Sequence, residues 1–149
     1  IVEIALGDVH AWKRMKAGYF IDTGSPHYIE LVKDVHSVNV SEQGALLRHD
    51  SEFGPAGTNI NFVEESGDGI MMRTYERGVE RETLSCGTGA TAAAIAHSIH
   101  RKLDIDHCNI SAPGGKLKVR FVRKGSVFSE ISLSGPATFV FSGSISVER

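Results

Sequence analysis

A chain of 149 residues with 41% hydrophobic and 23% charged side chains has enough length for one hydrophobic core and too little for two comfortable ones. A net charge of −2, with no basic block and no aromatic-basic interleaving, argues against nucleic acid as a partner. No apolar run reaches membrane-spanning length and no secretory signal opens the sequence, while Ile1 in place of methionine fits a processed product or a piece of something longer.

The predicted elements are mostly strands. Residues 28–32 read as the first, and residues 41–49 as a short helix capped by Ser41. Residues 59–64 and 70–75 flank Ser66-Gly67-Asp68-Gly69, whose glycines suit a tight hairpin. Residues 87–103 break the strand pattern. Ala90, Ala92, Ala93, Ala94, Ile95, Ala96 and Ile99 make a helix apolar on nearly every side, and such a helix is buried all round. His100, Arg101 and Lys102 then place basic groups at its carboxyl end. Residues 107–111 form a short strand. Residues 116–123 alternate Leu117, Val119 and Phe121 with Lys118 and Arg120, and residues 127–133 return after Lys124-Gly125-Ser126. Residues 139–147 read as a last strand. The fold class expected is α+β: a central, largely buried helix wrapped by a curved, mainly antiparallel sheet.

Ser85-Cys86-Gly87-Thr88-Gly89 puts one thiol at the turn where the buried helix begins. The positive end of the helix dipole favours thiolate there, and the unpaired first-turn amides suit a carboxylate or phosphate. The plain alternative is a structural cysteine in a glycine-rich turn. Glu76-Arg77 reads either as a surface ion pair or as a pair that meets a zwitterion, Arg77 forking onto a carboxylate and Glu76 holding an ammonium. His27 closes the turn Thr23-Gly24-Ser25-Pro26, and Asn59 follows Gly57-Thr58; each is either a turn residue or a site residue. His97 and His100 lack a third ligand at metal-site spacing and His-Glu-x-x-His is absent, so no metal is expected. Gly87-x-Gly89 lacks the rest of a dinucleotide fingerprint, and no Gly-x-Ser-x-Gly elbow opens the helix. Cys108 reads as a small buried hydrophobe, and both cysteines are expected to be reduced, in a cytoplasmic setting.

Taken together, Tyr75-Glu76-Arg77-Gly78-Val79, Glu82-Thr83-Leu84-Ser85-Cys86-Gly87-Thr88-Gly89-Ala90, Asp22-Thr23-Gly24-Ser25-Pro26-His27, Gly57-Thr58-Asn59-Ile60-Asn61-Phe62, Pro113-Gly114-Gly115 and Gly135-Pro136-Ala137 resemble the ordered motifs of the diaminopimelate epimerase family, from about Gly18 onward. The resemblance implies a two-lobed fold, each lobe a helix wrapped by sheet, and cofactor-independent inversion of an α-carbon by two cysteines on opposite faces of an amino-acid substrate. It implies that Cys86 is one of the two and that the amides of Gly87 and Thr88 bind the carboxylate at the reacting end. Asn59 and Arg77 would read the distal end, with Ser25 a weaker contact, and His27 and Glu76 would tune thiol protonation. Ser25 stands where most members carry asparagine, and Glu80-Arg81 replaces a single glycine. The amino-terminal lobe and its cysteine are missing, so residues 1–149 are expected to be a single carboxyl-terminal lobe, inactive alone. The expected partners are a small-molecule amino acid, the missing lobe and, as one option, a second copy in a homodimer. The rival functions are a proline or hydroxyproline racemase-like enzyme, disfavoured by Glu76-Arg77, and a non-catalytic amino-acid-binding module, disfavoured by Cys86.

Overall fold

The computed structural model describes residues 1–15 and 17–147. In chain order these form β1 (Val2–Ala5), β2 (Trp12–Met15), β3 (Gly18–Asp22), β4 (Pro26–Leu31), α1 (Val40–Arg48), β5 (Asn59–Ser66), β6 (Gly69–Glu76), β7 (Arg81–Thr83), α2 (Gly87–Arg101), β8 (His107–Ala112), β9 (Gly115–Lys124) and β10 (Val127–Gly135). One sheet holds all ten strands, in the order β1-β10-β9-β8-β6-β5-β4-β3-β2, with β7 added beside β6. Most neighbours are antiparallel; β4 with β5 and β6 with β8 are parallel, and each of those connections carries a helix.

The strand period of two sorts side chains onto two faces. On one face Ile21, Ile29, Val63, Ile70, Met72, Val119, Phe121 and Phe128 close around α2. On the other, Tyr28, Ile60, Phe62 and Tyr75 meet Val40 of α1. Helix α2 is enclosed because its contact surface is alanine: Ala90, Ala92, Ala93, Ala94 and Ala96 are fully buried, and strands on both sides of the sheet reach it. It stops where Lys102 turns left-handed at φ 53°, the Lys102 and Leu103 amides bonding back to Ile99 and Ser98. This α+β architecture, a central helix wrapped by a curved sheet, is the one expected from the sequence.

Three details differ. The cap of α1 is Asn39, not Ser41: its Oδ1 accepts the Glu42 amide, and its Nδ2 donates to the Glu42 carboxylate at 2.9 Å. That reciprocal pair uses both ends of the asparagine, which a serine two residues later does not match. Residues 139–147 are not a strand. Phe139, Val140, Phe141, Ile145 and Val147 are 80–88% exposed, because β1 already occupies the free edge of β10. Strands β1, β2, β3 and β7 go beyond the predicted elements; three to five residues each, they are too short to show a clear period.

Candidate active site

Three neighbouring strands send polar side chains to the face that holds α2. His27 on β4, Asn61 on β5 and Thr74 on β6 occupy positions where the strand period points inward, and all three are buried. They converge on the amino terminus of α2. There Cys86, in extended conformation, is the residue just before the helix, and the first intrahelical bond runs from the Ala90 amide to the Cys86 carbonyl at 2.8 Å. The Gly87, Thr88 and Gly89 amides precede that bond and point out of the helix mouth.

The Cys86 sulfur lies 3.6 Å from the Thr88 hydroxyl, which lies 2.9 Å from His27 Nε2. His27 Nδ1 is 3.0 Å from Asn61 Nδ2, and Asn61 Oδ1 accepts from the Thr74 hydroxyl at 2.9 Å. Asn61 Nδ2 also donates to the Tyr28 carbonyl at 3.2 Å, and Thr23 holds the Thr88 carbonyl at 3.0 Å. Gly89 makes this approach feasible: a Cβ there would sit 2.5 Å from Asn61 Oδ1 and 3.3 Å from both Cys86 Sγ and His27 Cε1.

Electrostatics at the mouth correct one expectation. Burial pushes the Cys86 thiol up, and it outweighs the Thr88 hydroxyl and the Gly89 and Thr88 amides that pull the other way; the Glu76 charge adds to the rise. The helix terminus therefore moderates a desolvated thiol without turning it into a resting thiolate. Burial, assisted by the Arg77 charge, lowers His27 to about 3, so its imidazole is neutral at physiological pH. Cys108 is a separate case: it is 1% exposed on β8 and burial pushes it up to about 12. Both cysteines are free thiols.

A second group adjoins the first. Asn59 Oδ1 accepts the Arg77 amide at 2.8 Å, and Asn59 Nδ2 donates to the Ser25 hydroxyl at 2.9 Å and the Pro26 carbonyl at 2.8 Å. Both of its donor hydrogens are thus spent on the protein, so Asn59 ties the β4 entrance to Arg77. Glu76 ends β6 half-exposed. After it, Glu80 adopts φ 57°, a left-handed conformation that glycine accepts without cost. Its carboxylate is tied to Arg48 at 3.0 Å and to the Gly78 amide at 2.9 Å, which holds the extra residue of this loop outward.

The structure thus gathers Ser25, His27, Asn59, Arg77, Cys86, Gly87 and Thr88 at one mouth, with Glu76 acting on the thiol through its charge. Asn61, Thr74 and Gly89 belong to the same arrangement, and of these Asn61 and Thr74 were not singled out from the sequence. The signal for Asn61 is a polar residue with the inward parity of Asn59, set between the apolar Ile60 and Phe62. His97 pairs with Glu65 at 3.3 Å and His100 with the Tyr19 hydroxyl at 3.3 Å. Among the described residues no group of three or more His, Cys, Asp or Glu is placed to hold a metal, and no helix is long and apolar enough to cross a membrane.

Comparison with known proteins bears directly on this mouth. The family model described as diaminopimelate epimerase matches residues 19–140, which contain every residue of the site. A diaminopimelate epimerase of Flavobacterium psychrophilum is 47% identical over 127 residues, covering 85% of this chain and 50% of its own length. That of Aquifex aeolicus is 44% identical over 132 residues, covering 88% and 47%. The chain therefore spans about half the length of the curated relatives it matches. Among solved structures, a phenazine biosynthesis protein of the PhzF family from Enterococcus faecalis superposes with a TM-score of 0.52 over 83% of this chain and 42% of that one; at 14% identity the likeness concerns the fold alone. A family match that runs through the helix mouth and both flanking loops leads to one conclusion: the chain belongs to the diaminopimelate epimerase family.

Proposed function

We propose that this chain is the carboxyl-terminal lobe of a cofactor-independent epimerase that interconverts LL- and meso-diaminopimelate, supplying one of two cysteines that act on opposite faces of the α-carbon. The observation that carries the reading is a part-exposed thiol at the start of a buried helix whose first amides have no helical partner. In one direction Cys86 as thiolate removes the α-proton while the opposing thiol delivers another; in the reverse direction Cys86 delivers its own proton. The amides of Gly87 and Thr88 hold the carboxylate and take up charge as the α-carbon loses its proton.

Arg77 and Glu76 receive the distal amino-acid end of the substrate, an end that a cyclic imino acid lacks. Asn59 and Ser25 set Arg77 in place, since Asn59 bonds to both. His27 acts on the thiol through the side chain between them. The missing lobe completes the cleft, and the exposed apolar segment 139–147 fits a chain with a further surface to cover. A reducing, cytoplasmic setting suits two free thiols.

Deuterium exchange at the α-carbon of diaminopimelate tests the reading. The 149-residue chain is expected to give no measurable exchange, the chain joined to a second cysteine lobe to exchange, and Cys86→Ala in that assembly to stop it. Robust exchange by the chain alone would mean that a second base is present or that two copies build a site as a homodimer, and the half-enzyme reading would fail.

A further inference from the structure

The hydrogen-bonded row behind Cys86 has a direction, and the Tyr28 carbonyl sets it. A backbone carbonyl only accepts, so the Asn61 atom 3.2 Å from it is the amide nitrogen, and Asn61 Oδ1 is the atom that takes the Thr74 hydroxyl. The second hydrogen of Asn61 Nδ2 then points at His27 Nδ1, 3.0 Å away, which must accept. A neutral imidazole that accepts at Nδ1 carries its proton on Nε2. That N–H faces the Thr88 hydroxyl at 2.9 Å and donates to it. Thr88 has one hydrogen, and the remaining partner within reach is the Cys86 sulfur at 3.6 Å.

We infer that Thr88 is a positioning residue whose hydroxyl, oriented by Asn61 through His27, donates a hydrogen bond to the Cys86 thiolate. The inference deepens the epimerase reading, on which the catalytic meaning of that thiolate rests. No proton leaves Thr88: it donates a hydrogen bond, while the proton of Cys86 passes to the substrate carbon and the sulfur keeps the electron pair. His27 is not the base that receives the Cys86 proton, because one ring nitrogen is already protonated and the lone pair of the other is taken by Asn61. A protonated His27 is also opposed, since its Nδ1–H would face the Asn61 N–H within a buried site beside Arg77. The charged groups that bear on the row are Glu76 on the thiol and Arg77 on the imidazole. Gly89 belongs to the device, because the row passes where its side chain would be.

Two measurements on the 149-residue chain test this, and neither needs turnover. Nitrogen-15 NMR of the His27 ring is expected to show the Nε2–H neutral form unchanged from pH 7.5 to 5. The Nδ1–H form, or titration near 6.5, would overturn the inference. The second follows the rate of Cys86 alkylation by iodoacetamide against pH. Thr88→Val, which keeps the shape and removes the hydroxyl, is expected to move the midpoint up by about one pH unit, making labelling at neutral pH about tenfold slower. Thr88→Ser, which restores the hydroxyl, should return it to the wild-type midpoint. Coincident midpoints for all three proteins would overturn the role of Thr88. Failure of the exchange assay with both of these results intact would count against the epimerase reading alone.

Discussion

The two ends of α2 show what one helix does with opposite partial charges. At its amino end the protein places a thiol, a neutral histidine, three threonines and two asparagines, with the nearest formal charges, Glu76 and Arg77, at the rim. At its carboxyl end it places Arg101 against Glu65, with the His97 imidazole, lowered by burial, beside the same carboxylate, and Arg123 reaching the Ser98 carbonyl at 3.3 Å. The Arg101–Glu65 pair at the carboxyl end reaches solvent, where water can replace either partner. At the amino end the polar side chains behind the thiol are buried and bond to one another, so removing one leaves its neighbour unpaired. The difference predicts where the molecule is brittle.

The largest effect should come from adding one methyl group at the mouth. Gly89→Ala drives a Cβ to 2.5 Å from Asn61 Oδ1, and either the strand or the helix must move. A loss of about 3 kcal/mol in denaturant unfolding is expected, the upper range for overpacking. A loss below about 0.5 kcal/mol would mean that the mouth yields as easily as the far end.

Acid sharpens the comparison next. His27 is held near 3 against an ordinary 6.5, so the unfolded chain takes up the proton first. The stability this group provides is complete above pH 6.5 and falls as pH drops toward 3, by about 1.4 kcal/mol per pH unit. His27→Gln removes the titration, and its unfolding free energy should fall less steeply than wild type between pH 6.5 and 4.5. Parallel slopes for the two proteins would place His27 in water.

The smallest effect belongs to the carboxyl end. Arg101→Ala removes a bridge to Glu65 from a side chain more than half exposed, and the cost should stay below about 0.5 kcal/mol and shrink in 0.5 M salt. A loss above 1 kcal/mol would make that end as interdependent as the mouth.

Much of this was legible in the sequence, and the reasons are particular. Helix α2 was readable because alanines on every side exclude a solvent face, and β9 because Leu117, Val119 and Phe121 keep strict alternation. Cys86 was readable as a helix-mouth thiol because Gly87 and Gly89 follow it at the start of the alanine run. The direction of its protonation shift was not, since the dipole is local while burial depends on strands as distant as β4 and β10. Asn61 and Thr74 lie in strands whose inward face is set only when β4, β5 and β6 are in register. Asn39 was missed as a cap because Ser41, two residues on, looks equally suited until the Glu42 contact is seen.

Strand β1 carries a consequence for the order of assembly. Val2 pairs with Gly135, so the first strand of this chain finds its neighbour only after 133 further residues have been made. The β5–β6 hairpin can close as soon as Gly69 follows Ser66, and α2 and the strands around it can gather while β10 is still unsynthesised. Until β10 is made, Val2–Ala5 lacks the partner it has in the folded sheet, and Val2 and Ile4 stay half exposed even when it is paired. A chain cut short before Val127 would leave Val2–Ala5 without the strand it pairs with here.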